Sequence, residues 1–168
     1  MAESTSGSNN LKYGDVYKAA VNGEKVEVLL NFYMQHPISP IINDHRDTVL
    51  HVLALNRRTE AAIELINKLP IHLLSEKNCR GNTALHEAAR IGALKIAKLM
   101  VKKEPRLVNI GNDMEETPLY WAAAYGQTKM FRFFLANITT IDDIKLRRKD
   151  GFTILHAAVM GEFYGNIN

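Results

Sequence analysis

From Ala93 the chain reads ALKIAKLMVKK, in which Leu94, Ala97, Leu99, Met100 and Val101 form an apolar stripe and Lys95, Lys98, Lys102 and Lys103 face water. Apolar residues returning at steps of three and four predict an amphipathic helix. Pro105 lies just beyond it, where a residue without a backbone N–H stops the ladder. The same plan returns in QTKMFRFFLAN, with Met130, Phe131, Phe133, Phe134 and Leu135 as the apolar face. A shorter helical stretch precedes each. TALHEAARI opens at Thr83, a good N-cap, and closes at Gly92, which takes a left-handed turn without steric cost. Neither helix can bury its stripe alone, so the pattern calls for stacked neighbours.

The stretches recur in register. Thr48 in TVLH, Thr83 in TALH, Thr117 in TPLY and Thr153 in TILH stand 35, 34 and 36 residues apart. Small or apolar pairs follow each His or Tyr: Leu53 and Ala54, Ala88 and Ala89, Ala122 and Ala123, Ala158 and Val159. Nine residues past the threonines come Arg57, Gly92, Gly126 and Glu162. A fainter copy, GDVYKAAVNG, puts Gly14, Val16, Tyr17, Ala19, Ala20 and Gly23 in the same register. Small side chains at the paired positions let adjacent helices approach closely.

This period, with TPLYWAAAYG and TALHEAARIG, resembles the ankyrin repeat. The resemblance implies an all-α solenoid of five stacked helix-turn-helix repeats, the first degenerate and the last incomplete. The expected boundaries are a disordered polar tail over 1–12 and repeats over 13–43, 44–78, 79–112, 113–148 and 149–168. The inter-repeat segments HPISPII, LPIHLLSEKN and EPRLVNIGN resemble those of plant ankyrin proteins, in which a membrane-embedded C-terminal (PGG-type) region commonly follows the repeats and members act in stress and defence signalling.

The resemblance also implies a concave binding surface of hairpin tips and first helices. Family positions four, three and one before each threonine, and seven and eight after it, carry over residue by residue. They give Asp44, His45, Asp47, Leu55 and Asn56 in repeat two, and Cys79, Arg80, Asn82, Arg90 and Ile91 in repeat three. Repeat four gives Asp113, Met114, Glu116, Ala124 and Tyr125; repeat five gives Lys149, Asp150, Phe152 and Met160. Charges mixed with Ile91, Met114, Tyr125, Phe152 and Met160 suit a protein partner better than a polyanion. Acidic tips in repeats two and four around a basic repeat three favour register over raw affinity. Arg46 and Glu115 occupy the hairpin position that Gly81 and Gly151 hold elsewhere, so altered geometry is expected there.

Composition narrows the reading. Of 168 residues, 46% are hydrophobic and 23% charged, ordinary values for a folded protein. A net charge of +3 is too small to imply nucleic acid or a membrane surface. Cys79 is the single cysteine, which excludes an internal disulfide and suits a reducing compartment. MAESTSGSNN has no apolar signal segment, and no apolar run approaches the ~20 residues of a membrane span. The expectation is a cytoplasmic chain on which the sequon at Asn137 stays silent.

The chemistry on offer is thin. HEAAR copies most of the zinc-protease pattern H-E-x-x-H, but Arg90 stands where the second ligand is needed. His86 is also a repeat position, matched by His51, Tyr120 and His156, and the family resemblance gives it a fold role through bonds to neighbouring backbone. Repeats ~10 Å apart cannot bring two such histidines to one zinc at ~2 Å. Cys79 beside Arg80 reads as a plain hairpin thiol. KLRRKD, Lys145 to Asp150, is offset by Asp142, Asp143 and Asp150 and reads as a solvated linker. Trp121 reads as either a binding anchor or helix packing. No phosphate loop, nucleophile elbow or paired-cysteine motif occurs. No cofactor, metal or catalytic residue is expected.

After Glu162 only FYGNIN remains, less than a second helix requires. The expectation is a fragment or truncated product with further repeats and membrane spans beyond it, and self-association through an uncapped apolar end. The function expected is a non-catalytic interaction module, as an adaptor or as the cytosolic part of a membrane-associated signalling protein at a site such as the plasma membrane. The alternative is a nuclear transcriptional cofactor using the same concave face.

Overall fold

A computed structural model describes residues 13–36, 40–138 and 146–165, with side chains through residue 160. Among the described residues lie α1 (Tyr13–Asn22), α2 (Val26–Gln35), α3 (Val49–Leu55), α4 (Thr59–Lys68), α5 (Ala84–Ile91), α6 (Leu94–Lys103), α7 (Pro118–Ala124), α8 (Thr128–Asn137) and α9 (Ile154–Gly165). Strand pairing among the described residues is confined to the isolated bridges Ile41–Thr48 and Arg147–Thr153. The fold is an all-α solenoid. The tail over 1–12 and residues 139–145 fall outside the described residues.

The first helices α1, α3, α5, α7 and α9 stack in chain order, each on the next. Behind them α2 packs on α4 and α4 on α6. The stacked positions are wholly sealed: Val49, Leu53, Ala54, Leu85, Ala88, Ala89 and Ala122 are all 0–1% exposed. These small and branched residues carry the burial, at about 25 cal/mol per Å² removed from water. The inter-repeat segments are built rather than loose. Two 3₁₀ turns, Ile71–Ser75 and Pro105–Asn109, send Leu73, Leu74, Leu107 and Val108 into the core.

The first helices share one start. Thr48 and Thr83 form capping boxes in which the histidine three residues on replaces the usual Glu. Thr117 caps α7 by accepting from Tyr120 N, with Pro118 at the first helical position. At the other end Gly92 closes α5 at φ 71, as expected.

Four expectations need correction. Leu135, expected on the apolar face of α8, is 42% exposed, whereas Met130 and Phe134 are buried. Leu94 and Leu99 are only half-buried; Ile96 takes the deep position in α6. α9 does not turn at Glu162 but runs on to Gly165, whereas the chain turns left-handed at the equivalent Arg57, Gly92 and Gly126. Arg46 and Glu115 do not alter their hairpins: they take φ 59 and 62, the left-handed backbone that Gly81 and Gly151 take at 73 and 86.

Candidate partner-binding surface

The hairpins that carry the candidate surface are held by an asparagine five residues before each threonine. Asn43, Asn78 and Asn112 fold their amides over the tip. The Oδ1 of Asn43 accepts from Asp47 N at 2.9 Å. Asn78 Oδ1 accepts from Arg80 N and Asn82 N at 3.0 and 3.1 Å. Asn112 Oδ1 does the same for Met114 N and Glu116 N, both at 3.0 Å. The free amide N–H of the later two reaches back one repeat. Asn78 Nδ2 donates to Asp47 Oδ1 at 2.9 Å and Asn112 Nδ2 to Asn82 Oδ1 at 3.0 Å. In repeat five Arg148 takes this place and pairs with Glu116 Oε1 at 3.1 Å.

A second chain of bonds runs through the tips. Cys79 N donates to His45 O at 2.9 Å, Asp113 N to Arg80 O at 3.2 Å and Lys149 N to Met114 O at 3.1 Å. A third lies beneath. His51 Nε2 donates to Asn82 O at 2.8 Å and His86 Nε2 to Glu116 O at 2.9 Å, while each Nδ1 accepts from its own threonine. A carbonyl can only accept, so both rings are the neutral Nε2–H tautomer. Burial lowers the pKa of His51 and takes His86 down to about 4. Both nitrogens of each ring are engaged, Nδ1 at the start of its own helix and Nε2 on the next repeat. Among the described residues no three His, Cys, Asp or Glu side chains gather as a metal site.

Above these ladders the carried-over positions divide. Asp44, His45, Arg80, Asp113, Met114, Tyr125, Lys149 and Met160 are exposed, and Cys79 with them. Asn56, Arg90, Ile91 and Phe152 are half-buried. Asp47 and Glu116 face inward to the ladder: Asp47 also accepts from Asn43 Nδ2 at 2.9 Å, and Glu116 Oε2 accepts from Asn112 Nδ2 at 2.8 Å and Trp121 Nε1 at 2.9 Å. Asn82 is a correction. It is 0% exposed, bonded on every side within the hairpins, and offers nothing to a partner. Trp121 is likewise packing, 8% exposed, edge-on to His86 at 5.7 Å and tilted against Tyr125 at 5.6 Å.

Repeats two and three enclose a concavity of about 220 Å³ lined by His45, Asp47, Leu55, Asn78, Cys79, Arg80, Glu87 and Arg90. Its floor was not anticipated. Glu87 sits where the other repeats carry Val52, Trp121 and Ala157, and it is 7% exposed. Burial raises its pKa, against the pull of Arg90, which pairs with Glu87 Oε2 at 3.0 Å. Arg90 is therefore partly spent, and Arg80 is the cation that faces outward here. The far end is more apolar, with Met114, Tyr125 and Met160 exposed to 37%, 48% and 48%.

Sequence reasoning missed the asparagine ladder, although its signal was present: Asn43, Asn78 and Asn112 keep the 35- and 34-residue spacing of the threonines.

A family model described as ankyrin repeats, in three copies, matches residues 16–109 and 69–142. The chain is 33% identical over 144 residues to the transient receptor potential cation channel subfamily A member 1 homolog of Caenorhabditis elegans, covering 67% of this chain and 12% of that protein. It is 28% identical over 151 residues to alpha-latrotoxin-Lg1a of Latrodectus geometricus, covering 88% of this chain and 11% of the toxin. The chain thus spans about a tenth of the length of these curated relatives.

Proposed function

We propose, on the premise that the chain belongs to the ankyrin-repeat family, that its concave face binds a protein partner and that the chain works as an adaptor or as the cytosolic part of a membrane-associated stress or defence signalling protein. The family is one of protein–protein interaction modules. The observation that carries the reading is the division of labour just described. The ladders consume the inward-facing groups of each hairpin, and a row of outward groups from Asp44 to Lys149 is left with no internal task. A rigid scaffold presenting varied tips is how binding residues are usually mounted. The membrane-associated part of the reading draws on the plant-type inter-repeat segments and on a relative named as a cation channel. No helix among the described residues is long and apolar enough to cross a membrane.

The partner implied has two zones: mixed charge for repeats two and three, and an apolar or aromatic anchor for Met114, Tyr125 and Met160. Affinity capture from the source tissue with wild type against an Arg80→Asp, Tyr125→Ala variant tests this. Both side chains are exposed, so the variant keeps its fold. Loss of a captured protein in the variant places the surface; identical capture overturns it. Membrane fractionation of the complete protein tests the location.

A further inference from the structure

We infer that the outer helices α6 and α8 form a docking face for an anionic lipid surface, behind the partner-binding tips. Lys95, Lys98 and Lys102 return on α6 at steps of three and four, so they share one face of the helix. Lys129 and Arg132 on α8 stand 34 residues past Lys95 and Lys98, the step that also separates Thr83 from Thr117. All five are exposed. The two helices are neighbours. Gln127, just before α8, donates from Nε2 to Arg90 O at 3.2 Å, beside the turn that leads into α6, and α8 packs on the 3₁₀ turn that follows α6. Neither helix contains a carboxylate. Among the described residues none of the five cations is paired with one. The net charge of +3 conceals this face, because carboxylates elsewhere in the chain offset it.

The accumulation works against the fold. The second residue of the outer helix is Glu27 in α2 and Glu60 in α4, but Lys95 in α6 and Lys129 in α8. The first turn of a helix favours a carboxylate, so the earlier pair obeys the dipole and the later pair opposes it. Like charges three or four residues apart also repel, whereas α4 balances Lys68 with Glu64 at 2.7 Å. Both costs fall on the same two helices, and a surface of opposite charge relieves both.

The rest of the face selects the kind of anion. The sixth residue of these helices is Asn31 in α2 and Glu64 in α4, both exposed, but Leu99 in α6 and Phe133 in α8, both half-buried. Leu99 has a repeat on either side, so the part of it that is uncovered faces outward. Apolar side chains set among lysines suit a bilayer interface, where lysine stems lie along apolar surface and their ammonium groups reach the headgroups. The side-chain amide on these helices, Asn137, is spent on Phe133 O at 2.7 Å, so none is left to read base edges. Four lysines to one arginine favour a diffuse field over a bidentate grip on single phosphates. Five cations also fall within the ~4–8 that hold a helix to anionic lipid. The contact is peripheral and leaves the tips from Asp44 to Lys149 free, so it does not depend on the partner reading.

The test sediments the full chain with vesicles of phosphatidylcholine alone and of phosphatidylcholine mixed with phosphatidylserine. The chain should sediment only with the mixed vesicles, and added salt should release it. Each cation near such a surface is worth about fivefold in partitioning, so Lys95→Gln combined with Lys98→Gln should weaken binding by about 25-fold. Lys18→Gln, at an exposed lysine of α1, should leave binding unchanged, as should Arg80→Asp on the tips. All four side chains are exposed, so the variants keep their fold, and circular dichroism checks it. No sedimentation with the mixed vesicles, equal sedimentation with both kinds, or binding indifferent to the Lys95 and Lys98 substitutions overturns the docking face. A duplex oligonucleotide that binds the chain more tightly than the vesicles and displaces it from them overturns the lipid assignment in favour of nucleic acid.

Discussion

His51 Nε2 donates across 2.8 Å to the backbone carbonyl of Asn82, thirty-one residues on and in the next repeat. His86 repeats the bond to Glu116 O, so each fully buried imidazole ties two repeats through one proton. Protonating Nδ1 would convert an acceptor that receives the Thr48 or Thr83 N–H into a donor, turning an attraction into a clash of two N–H groups.

Stability should therefore fall in mild acid. His86 has an unfolded pKa of 6.5 and a folded value of about 4, so unfolding takes up a proton between them. The contribution is fully present above pH 6.5, shrinks as pH drops, and amounts to about 3 kcal/mol lost by pH 4. Glu87 acts with opposite sign, since its raised pKa favours the folded state more as pH falls through that range. Urea midpoints across pH 4 to 7 check this. His86→Gln should flatten the dependence and Glu87→Gln should steepen it.

The asparagine ladder predicts a graded series. Asn112→Ala removes the acceptor for Met114 N and Glu116 N and the donor to Asn82 and Glu116, in a residue 8% exposed. Leaving buried partners unsatisfied costs about 1–3 kcal/mol each, so a loss of about 2–4 kcal/mol is expected. Asn43→Ala should cost about 1 kcal/mol, because Asn43 makes its bonds only within its own hairpin. Equilibrium unfolding of the two variants gives the comparison.

These residues also mark how far the sequence could be read. The helices were legible because their apolar stripes and glycine stops are local signals. The stacking was legible because Thr48, Thr83, Thr117 and Thr153 repeat it four times. The family surface positions were carried over as one set, and burial then split them. Asn82 and Asp47 share a register position, yet Asn82 is sealed between two neighbouring hairpins while Asp47 lies nearer the thin end of the stack. Leu135 looked like core for the same reason: apolar identity fixes a face, and only the next helix decides whether that face is covered.

Left-handed backbone at non-glycine residues gives a prediction with two signs. Arg46 and Glu115 sit at φ 59 and 62 with exposed side chains. A left-handed backbone costs a residue with a Cβ roughly 1–2 kcal/mol, partly offset by the unfolded-state entropy that glycine adds. Arg46→Gly and Glu115→Gly should each stabilise by about 0.5–1 kcal/mol. Arg57, at φ 55, should behave oppositely, because its guanidinium donates to Ile91 O and ties repeat two to repeat three. Gly81→Ala should be the most damaging, since its Cβ would stand 2.7 Å from Asp113 N and break the tip ladder as well. Thermal unfolding of the four variants separates strain from contact.

The convex side offers the last test, on a lysine. Lys103, at the end of α6, aims its Nζ at the last turn of α4 and donates to the carbonyls of Ile66, Asn67 and Leu69. A helix C-terminus presents unpaired carbonyls and a partial negative charge, so one ammonium with three donors satisfies what the ladder leaves over. Lys103→Met keeps the stem and removes the charge. Hydrogen bonds from a charged donor are worth about 1.5–3 kcal/mol when made, and partial exposure of this group puts the expected loss at the low end. An arginine should not rescue it, because a planar fork cannot converge on three carbonyls around one point. Amide exchange is the discriminating measurement. It should accelerate in the last turn of α4 and leave α8 untouched; uniform acceleration would mean that Lys103 acts on the whole stack instead of on this one helix end.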